Sequence, residues 1–220
     1  MNRGFFHHEA GGFNDVTAVI LAGGQSSRMA SLRAASKALL MVGGETVIER
    51  EIRALGAIFR DVIVISNEPE PYLGLGVNVI PDSDRFPEVK GPMKGIFSGL
   101  YAIETDFAFI VACDMPFINP ELVGWMGQFR KDHKVVVPMK GGFLEPLFGY
   151  YAKAALPVID DAMGNGITSV QYIFPRMEAK IVDEQDVRLF DPDFESFINL
   201  NTPEDLARAE SIIGRPVKTY

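Results

Sequence analysis

Two adjacent glycines, Gly23 and Gly24, end an apolar run and are followed by Ser26, Ser27, Arg28 and, further on, Lys37. Glycines carry no Cβ to hold a ligand away from the peptide N–H groups, so a turn of this kind with cations behind it suits phosphate oxygens. A plain turn is the competing reading, because Gly-Gly alone marks many loops. The spacing fits neither Gly-x4-Gly-Lys-Ser/Thr nor Gly-x-Gly-x-x-Gly, which makes this a third type of loop. The charge around it favours an anion. From Val16 to Gly44 there is no Asp or Glu, while Arg28, Arg33 and Lys37 lie inside that window. With 29 acids in 220 residues, about four would be expected there, chance placement being the alternative.

The second chemical candidate is Asp114, in "ACDMPF". It closes a run that is otherwise apolar, where a carboxylate is costly unless water, a donor or a cation meets it. A divalent cation fits, since Mg²⁺ takes one or two carboxylates and completes its shell with substrate phosphate oxygens and waters. The alternative is that Asp114 caps the next turn, stiffened by Pro116. The single cysteine, Cys113, precedes Asp114 and should point the other way, into the core; with no partner it forms neither an internal disulfide nor a zinc site. His7 and His8 lie in an unpatterned leader and His133 in a solvated "RKDHK" turn, so no general-base histidine is evident.

These residues need elements to hold them. Apolar runs rich in β-branched residues recur at 17–21, 62–66, 77–80, 107–112 and 134–138, and read as buried parallel strands. Between them lie helical patterns. In "TVIEREIRALGAIF", Val47, Ile48, Ile52, Leu55 and Phe59 share a face, with Glu49, Arg50, Glu51 and Arg53 directed mostly elsewhere. Pro92 suits a first helical turn, and Asn119 before Pro120 reads as a cap. The alternation predicts a doubly wound α/β sheet, in which ligands bind beyond the carboxyl ends of the strands. Gly23 and Asp114 both fall there. After residue 138 the alternation loosens: "EPLFGYYA" reads as a strand, "KAALPVIDDAM" as a helix interrupted near Pro157, and "TPEDLARAESII" as a terminal helix capped by Thr202.

Composition bounds the rest. A hydrophobic fraction of 47% in 220 residues is that of one compact domain, expected over 15–220 behind a mobile leader at 1–14. The formal charge of −8 disfavours a nucleic-acid partner. No apolar run reaches the ~18 residues of a membrane span, and the start lacks a secretory signal, so a cytoplasmic location is expected.

"LAGGQSSRM" followed by "SKALLMVGGETVIER" resembles the signature of nucleotidyltransferases with a Rossmann-like, mostly parallel sheet of the nucleotide-diphospho-sugar transferase type. With "NVIPDSDRFPEVKGPMKGIFSGL", "VACDMPFI" and "INLNTPEDL", the chain is similar to the molybdenum cofactor guanylyltransferase family from about residue 17 to 210. The resemblance implies transfer of GMP from GTP to molybdopterin or the molybdenum cofactor, with Mg²⁺ and release of pyrophosphate. It implies that Leu21, Ala22, Gly23, Gly24, Lys37, Asn67, Asp82, Gly91, Pro92, Gly95 and Asp114 bind the nucleotide. It also implies that Arg28, Lys37 and Asp114 are catalytic, that Asp114 holds the metal, and that Asn199 and Asn201 assist the acceptor or the metal. Asn67 reads equally as a turn residue. For Asn199 and Asn201, alternation along an extended segment puts both side chains on one side, and a plain loop before the Thr202 cap is the alternative. Proteins that deliver the pterin and collect the product are implied partners.

The absence of a base is consistent with this chemistry. A phosphate attacking an α-phosphorus is already anionic, so alignment and charge neutralisation suffice. In one respect the chain departs from the family: "RMASLRAASK" has Ala30 for a glycine, Ser36 for an aspartate, and about three extra residues before Lys37. A solvent-facing bulge would leave Lys37 in its usual place, whereas Arg33 inside the insertion offers a substitute phosphate contact. Two other functions compete: a cytidylyltransferase acting on the same pterin or on a sugar, and a nucleotide-binding regulatory module without turnover.

Overall fold

The computed structural model describes residues 13–23 and 37–214. Gly24, Arg28 and Arg33, the extra residues before Lys37, and residues 1–12 of the expected leader lie outside them. In chain order the first elements are β1 (Val16–Leu21), β2 (Met41–Val42), β3 (Glu45–Thr46), α1 (Val47–Gly56), β4 (Asp61–Ile65), β5 (Asn78–Ile80), α2 (Pro92–Ala102) and β6 (Phe107–Ala112). There follow α3 (Pro120–Met126), β7 (Val135–Lys140), β8 (Phe143–Leu144), β9 (Phe148–Ala152), α4 (Leu156–Gly164), β10 (Ala179–Val182), α5 (Glu184–Val187) and α6 (Pro203–Ile213).

The main sheet runs β10-β7-β9-β6-β1-β4-β5, with β8 added to β7. β1 pairs in parallel with β4 and β6, β4 with β5, and β7 with β10. β9 is antiparallel to both of its neighbours. Its reversal has a simple cause. Residues 141–147 are too few for a parallel crossover, which needs about a dozen, but they are enough for a hairpin. Gly141 and Gly142 supply the positive φ angles of 58° and 80° that such a turn demands.

Two apolar layers cover the sheet. Ile48 and Leu55 of α1 and Leu122 and Val123 of α3 pack with Ala18, Ile20, Phe109 and Val111 on one face. Met93, Ile96 and Leu100 of α2 and Ile159 of α4 pack with Val19, Leu21, Ala108 and Ile110 on the other. α2 lies close against β1 because two glycines let it: a Cβ on Gly99 would stand 2.7 Å from Val19 Cγ1, and one on Gly95 3.1 Å from Leu21 Cδ1. Thr46 caps α1 in a reciprocal box with Glu49, Asn119 caps α3, and Thr202 caps α6.

Four local expectations change. Glu51 does not point away from the core: it is fully buried beneath the end of β6. Pro157 does not interrupt a helix but sits in the first turn of α4, after a 3₁₀ turn at Lys153–Ala155. Phe13, the first of the described residues, is buried against Phe59 and Tyr150, so the core includes part of the segment expected to be mobile. β10 was not foreseen, because "AKIV" is too short to show a period.

Candidate active site

The carboxyl ends of three neighbouring parallel strands form one edge. The Cys113 N–H donates to Leu21 O at 3.2 Å and the Ala22 N–H to Ile65 O at 3.0 Å, so the ladder continues past β1 until the chain emerges at Gly23. Leu21 and Ala22 are themselves buried: Leu21 packs under α2 and Ala22 on the opposite face, so both side chains are turned into the core.

Lys37 begins a 3₁₀ turn, Lys37–Leu39, leading into the β2–β3 hairpin. Its Nζ donates to Asp114 Oδ2 at 2.7 Å and also to Asn201 Oδ1. The side chains are 25% and 13% exposed for Lys37 and Asp114, so the pair is partly open to a solute. Residues from the beginning, middle and end of the chain thus converge on one ammonium group. Asn199 enters differently: the Asn201 N–H donates to Asn199 O at 3.1 Å, closing a three-residue turn around the buried Leu200. The segment is therefore not extended, and the strand alternation expected to align the two asparagine side chains does not apply.

A second network stands on the β4–β5 side. Asn67 Nδ2 donates to Asp82 Oδ2 at 3.0 Å and the Asp82 N–H to Asn67 Oδ1 at 2.9 Å, tying the two strand ends together. Ser98 on α2, 2% exposed, reaches Asp82 Oδ1 at 3.0 Å and accepts the Ser83 N–H at 2.9 Å. A Cβ on Gly23 would lie 3.7 Å from Asp82 Oδ2, which sets the start of the glycine loop beside this network. Gly91 precedes α2 with φ 99° and ψ −174°, a conformation essentially confined to glycine, and Pro92 opens the helix. Gly95 turns its α-carbon toward Leu21, whose side chain would have to give by a few tenths of an ångström to admit a Cβ, so close packing already favours a glycine there.

Sequence reasoning missed Ser98 and Glu51. Ser98 shows no signal beyond a polar residue in an apolar helix. Glu51 is an acid near the apolar face of α1; its Oε1 accepts the Met115 N–H at 3.0 Å, and its Oε2 is buried without a partner. Burial holds its carboxyl well above the ordinary carboxylate range, and the charge of Asp114 adds to this, against the opposing bond from Met115. Cys113 packs against the core as expected, and burial raises its thiol far above its usual value, which makes it a poor nucleophile.

Among the described residues no group of three or more His, Cys, Asp or Glu could cage a metal, and Lys37 is the one donor to the Asp114 carboxylate. A lone carboxylate with an oxygen to spare fits a hard divalent ion that draws most of its ligands from substrate phosphates and water. No described helix is long and apolar enough to cross a membrane.

Residues 18–178 match the model of the MobA-like NTP transferase domain. The chain is 34% identical to the molybdenum cofactor guanylyltransferase of Desulfosudis oleivorans, over 90% of this chain and 96% of that one. It is 37% identical to a probable molybdenum cofactor guanylyltransferase of Pelotomaculum thermopropionicum, over 88% and 91%. A crystal structure of molybdopterin-guanine dinucleotide biosynthesis protein A from Archaeoglobus fulgidus superposes with a TM-score of 0.74 at 25% identity, covering 90% of this chain and 98% of that one. A 4-diphosphocytidyl-2C-methyl-D-erythritol synthase from Anaerococcus prevotii, at 13% identity and a TM-score of 0.67, covering 91% and 96%, shares the fold. Matched over most of its length by both the family model and these relatives, the chain belongs to the MobA-like NTP transferase family and is a nucleotidyltransferase.

Proposed function

We propose that the protein transfers GMP from GTP to the terminal phosphate of molybdopterin or its molybdenum-bearing form. An oxygen of that phosphate bonds to the α-phosphorus of GTP, the bond from the α-phosphorus to the bridging oxygen breaks, and pyrophosphate leaves with the electron pair. The names of the relatives supply the two substrates. The observation that carries the chemistry is the ammonium of Lys37, held between Asp114 and Asn201 at the strand ends.

An ammonium has three donors, and two are engaged. Among the described residues nothing takes the third, which can meet a phosphate oxygen without breaking the pair with Asp114. Asp114 and Asn201 then fix the direction of Lys37, so that its charge is already in place when negative charge grows on the transferring group. Mg²⁺, when bound at Asp114, would supply further neutralisation of the triphosphate. Gly23 is assigned to the phosphates, as are Gly24 and Arg28, which lie outside the described residues, while Asn67, Asp82, Gly91 and Pro92 are assigned to the side toward the base and ribose. Asn199 lies on the acceptor side with Asn201.

The test is pyrophosphate release and product mass for GTP, CTP and ATP, each with and without molybdopterin and Mg²⁺. Turnover requiring GTP, the pterin and Mg²⁺ together is the expected result. Preference for CTP would move the protein to cytidylyl transfer, and nucleotide binding with no product would refute transfer to this acceptor.

A further inference from the structure

Glu51 stands where a hydrocarbon side chain would fit at lower cost. It is fully buried on α1, with Oε1 bonded to the Met115 N–H at 3.0 Å and Oε2 enclosed without a partner. Leaving a polar atom unpaired in the interior is expensive, and leucine or methionine would fill the same volume without that cost. What the carboxyl can do and a hydrocarbon cannot is accept the first amide after Asp114. The backbone there is held by three bonds. The Cys113 N–H donates to Leu21 O, Asp114 O accepts the Leu200 N–H at 3.0 Å, and the Met115 N–H donates to Glu51. The first two are backbone pairs, and the third alone is supplied by a side chain, projected from a helix on one face of the sheet.

We propose that Glu51 is a positioning residue: by holding the Met115 N–H from α1 it fixes the peptide after Asp114, and so the direction in which the Asp114 carboxylate meets Lys37 and the reacting phosphates. This rests on the reading of Asp114 given under the proposed function. What Glu51 supplies to the Met115 N–H is an accepting oxygen, and an amide can supply one in its place.

The experiment compares wild type with Glu51→Gln and Glu51→Leu, with Glu51→Met in place of the leucine variant should that one not fold. Amide hydrogen exchange at Met115 is read by NMR, and kcat and KM for GTP are read from pyrophosphate release with Mg²⁺ and molybdopterin. Glu51→Gln should keep both readings within about twofold of wild type. Glu51→Leu should speed Met115 exchange by about tenfold or more, and lower kcat by about tenfold or more with KM for GTP nearly unchanged, since small misplacements of a reacting group carry penalties of this size. Its melting temperature should change little, because removal of a desolvated acid offsets the loss of an acceptor for the Met115 N–H. Wild-type exchange or wild-type kcat in the leucine variant overturns the proposal. Equal loss in the glutamine variant overturns it too, because charge or a proton rather than an acceptor would then be at work. If wild type turns over no nucleotide at all, the guanylyl-transfer reading fails, while the exchange comparison still decides whether Glu51 holds the peptide.

Discussion

Replacing Lys37 by methionine keeps most of the unbranched stem of the side chain and removes its three donors and its charge. Among the described residues two of those donors are engaged, by Asp114 Oδ2 at 2.7 Å and by Asn201 Oδ1, and the third is assigned to the substrate. Loss of one preorganised donor aimed at developing charge costs about 3–4 kcal/mol in the transition state, or about 10²–10³ in kcat. The effect on folding is much smaller. With side chains 25% and 13% exposed, the pair is still wetted, so its net contribution is about 1 kcal/mol and Asp114 can rehydrate when Lys37 is gone. For a chain of this size that corresponds to about 2–4 °C in Tm. The assay is pyrophosphate release with GTP, Mg²⁺ and molybdopterin, alongside calorimetric melting. In a Lys37→Met/Asp114→Asn double variant the combined loss should fall well short of the product of the single losses, because the two residues act as one unit. A kcat within about tenfold of wild type would refute the assignment. So would activity that merely follows the folded fraction after a large fall in Tm, since Lys37 would then be structural.

Glu51 makes stability depend on pH in a direction opposite to that of an ordinary acid. Its folded carboxyl holds its proton well above 4.5, the unfolded value, so above that pH the unfolded chain binds fewer protons and wild-type stability declines. Relative to Glu51→Gln, wild type should lose about 1.4 kcal/mol per pH unit from there until the buried group ionises, as urea titrations across the pH range will report. Asp15 behaves in the usual way. Burial pulls its carboxyl upward, but the bond and charge of Arg130, at 2.7 Å, prevail and hold it below 3.8. Its contribution is present above that value and disappears as the pH falls through the folded one, so Asp15→Asn should flatten the acid limb of the stability curve, measured by circular dichroism. Gly91→Ala meets no atom within 4 Å but must adopt φ 99°, and should cost about 1–3 kcal/mol in denaturant unfolding through backbone strain alone.

Part of the fold could be read from local pattern because local physics decides it. The runs that became β1, β4, β6 and β7 are apolar and β-branched, which suits burial on both faces of a sheet. By contrast β5, expected to be buried, is an edge strand with Asn78 exposed and the rest half-buried, and β7 is parallel only to β10 and antiparallel to β9. Thr46, Asn119 and Thr202 cap their helices through contacts three residues long or less, and Pro92 and Pro120 stand where a first turn tolerates them. Pattern failed where the decision was not local. β10 has four residues and a place only because β7 offers an edge. Glu51 reads as a solvent residue because a charge on a helix ordinarily faces water; its burial follows from the way α1 packs under the loop after β6.

The candidate site divides along the same line. Residue types and spacing marked a phosphate-suited turn at Gly23 and a lone carboxylate at Asp114, because dense backbone N–H groups and a carboxylate at a strand end have consequences at any position in any fold. The meeting of Lys37, Asp114 and Asn201 has no such local cause. These residues are 77 and 164 positions apart from Lys37, and only the parallel pairing of β1 with β6 and the return of the chain through Leu200 bring them to one nitrogen. Sequence determined which groups were available, through their intrinsic chemistry. Tertiary structure decided which of them share a site, because proximity between distant residues is set by how the whole sheet and its helices close over a common core.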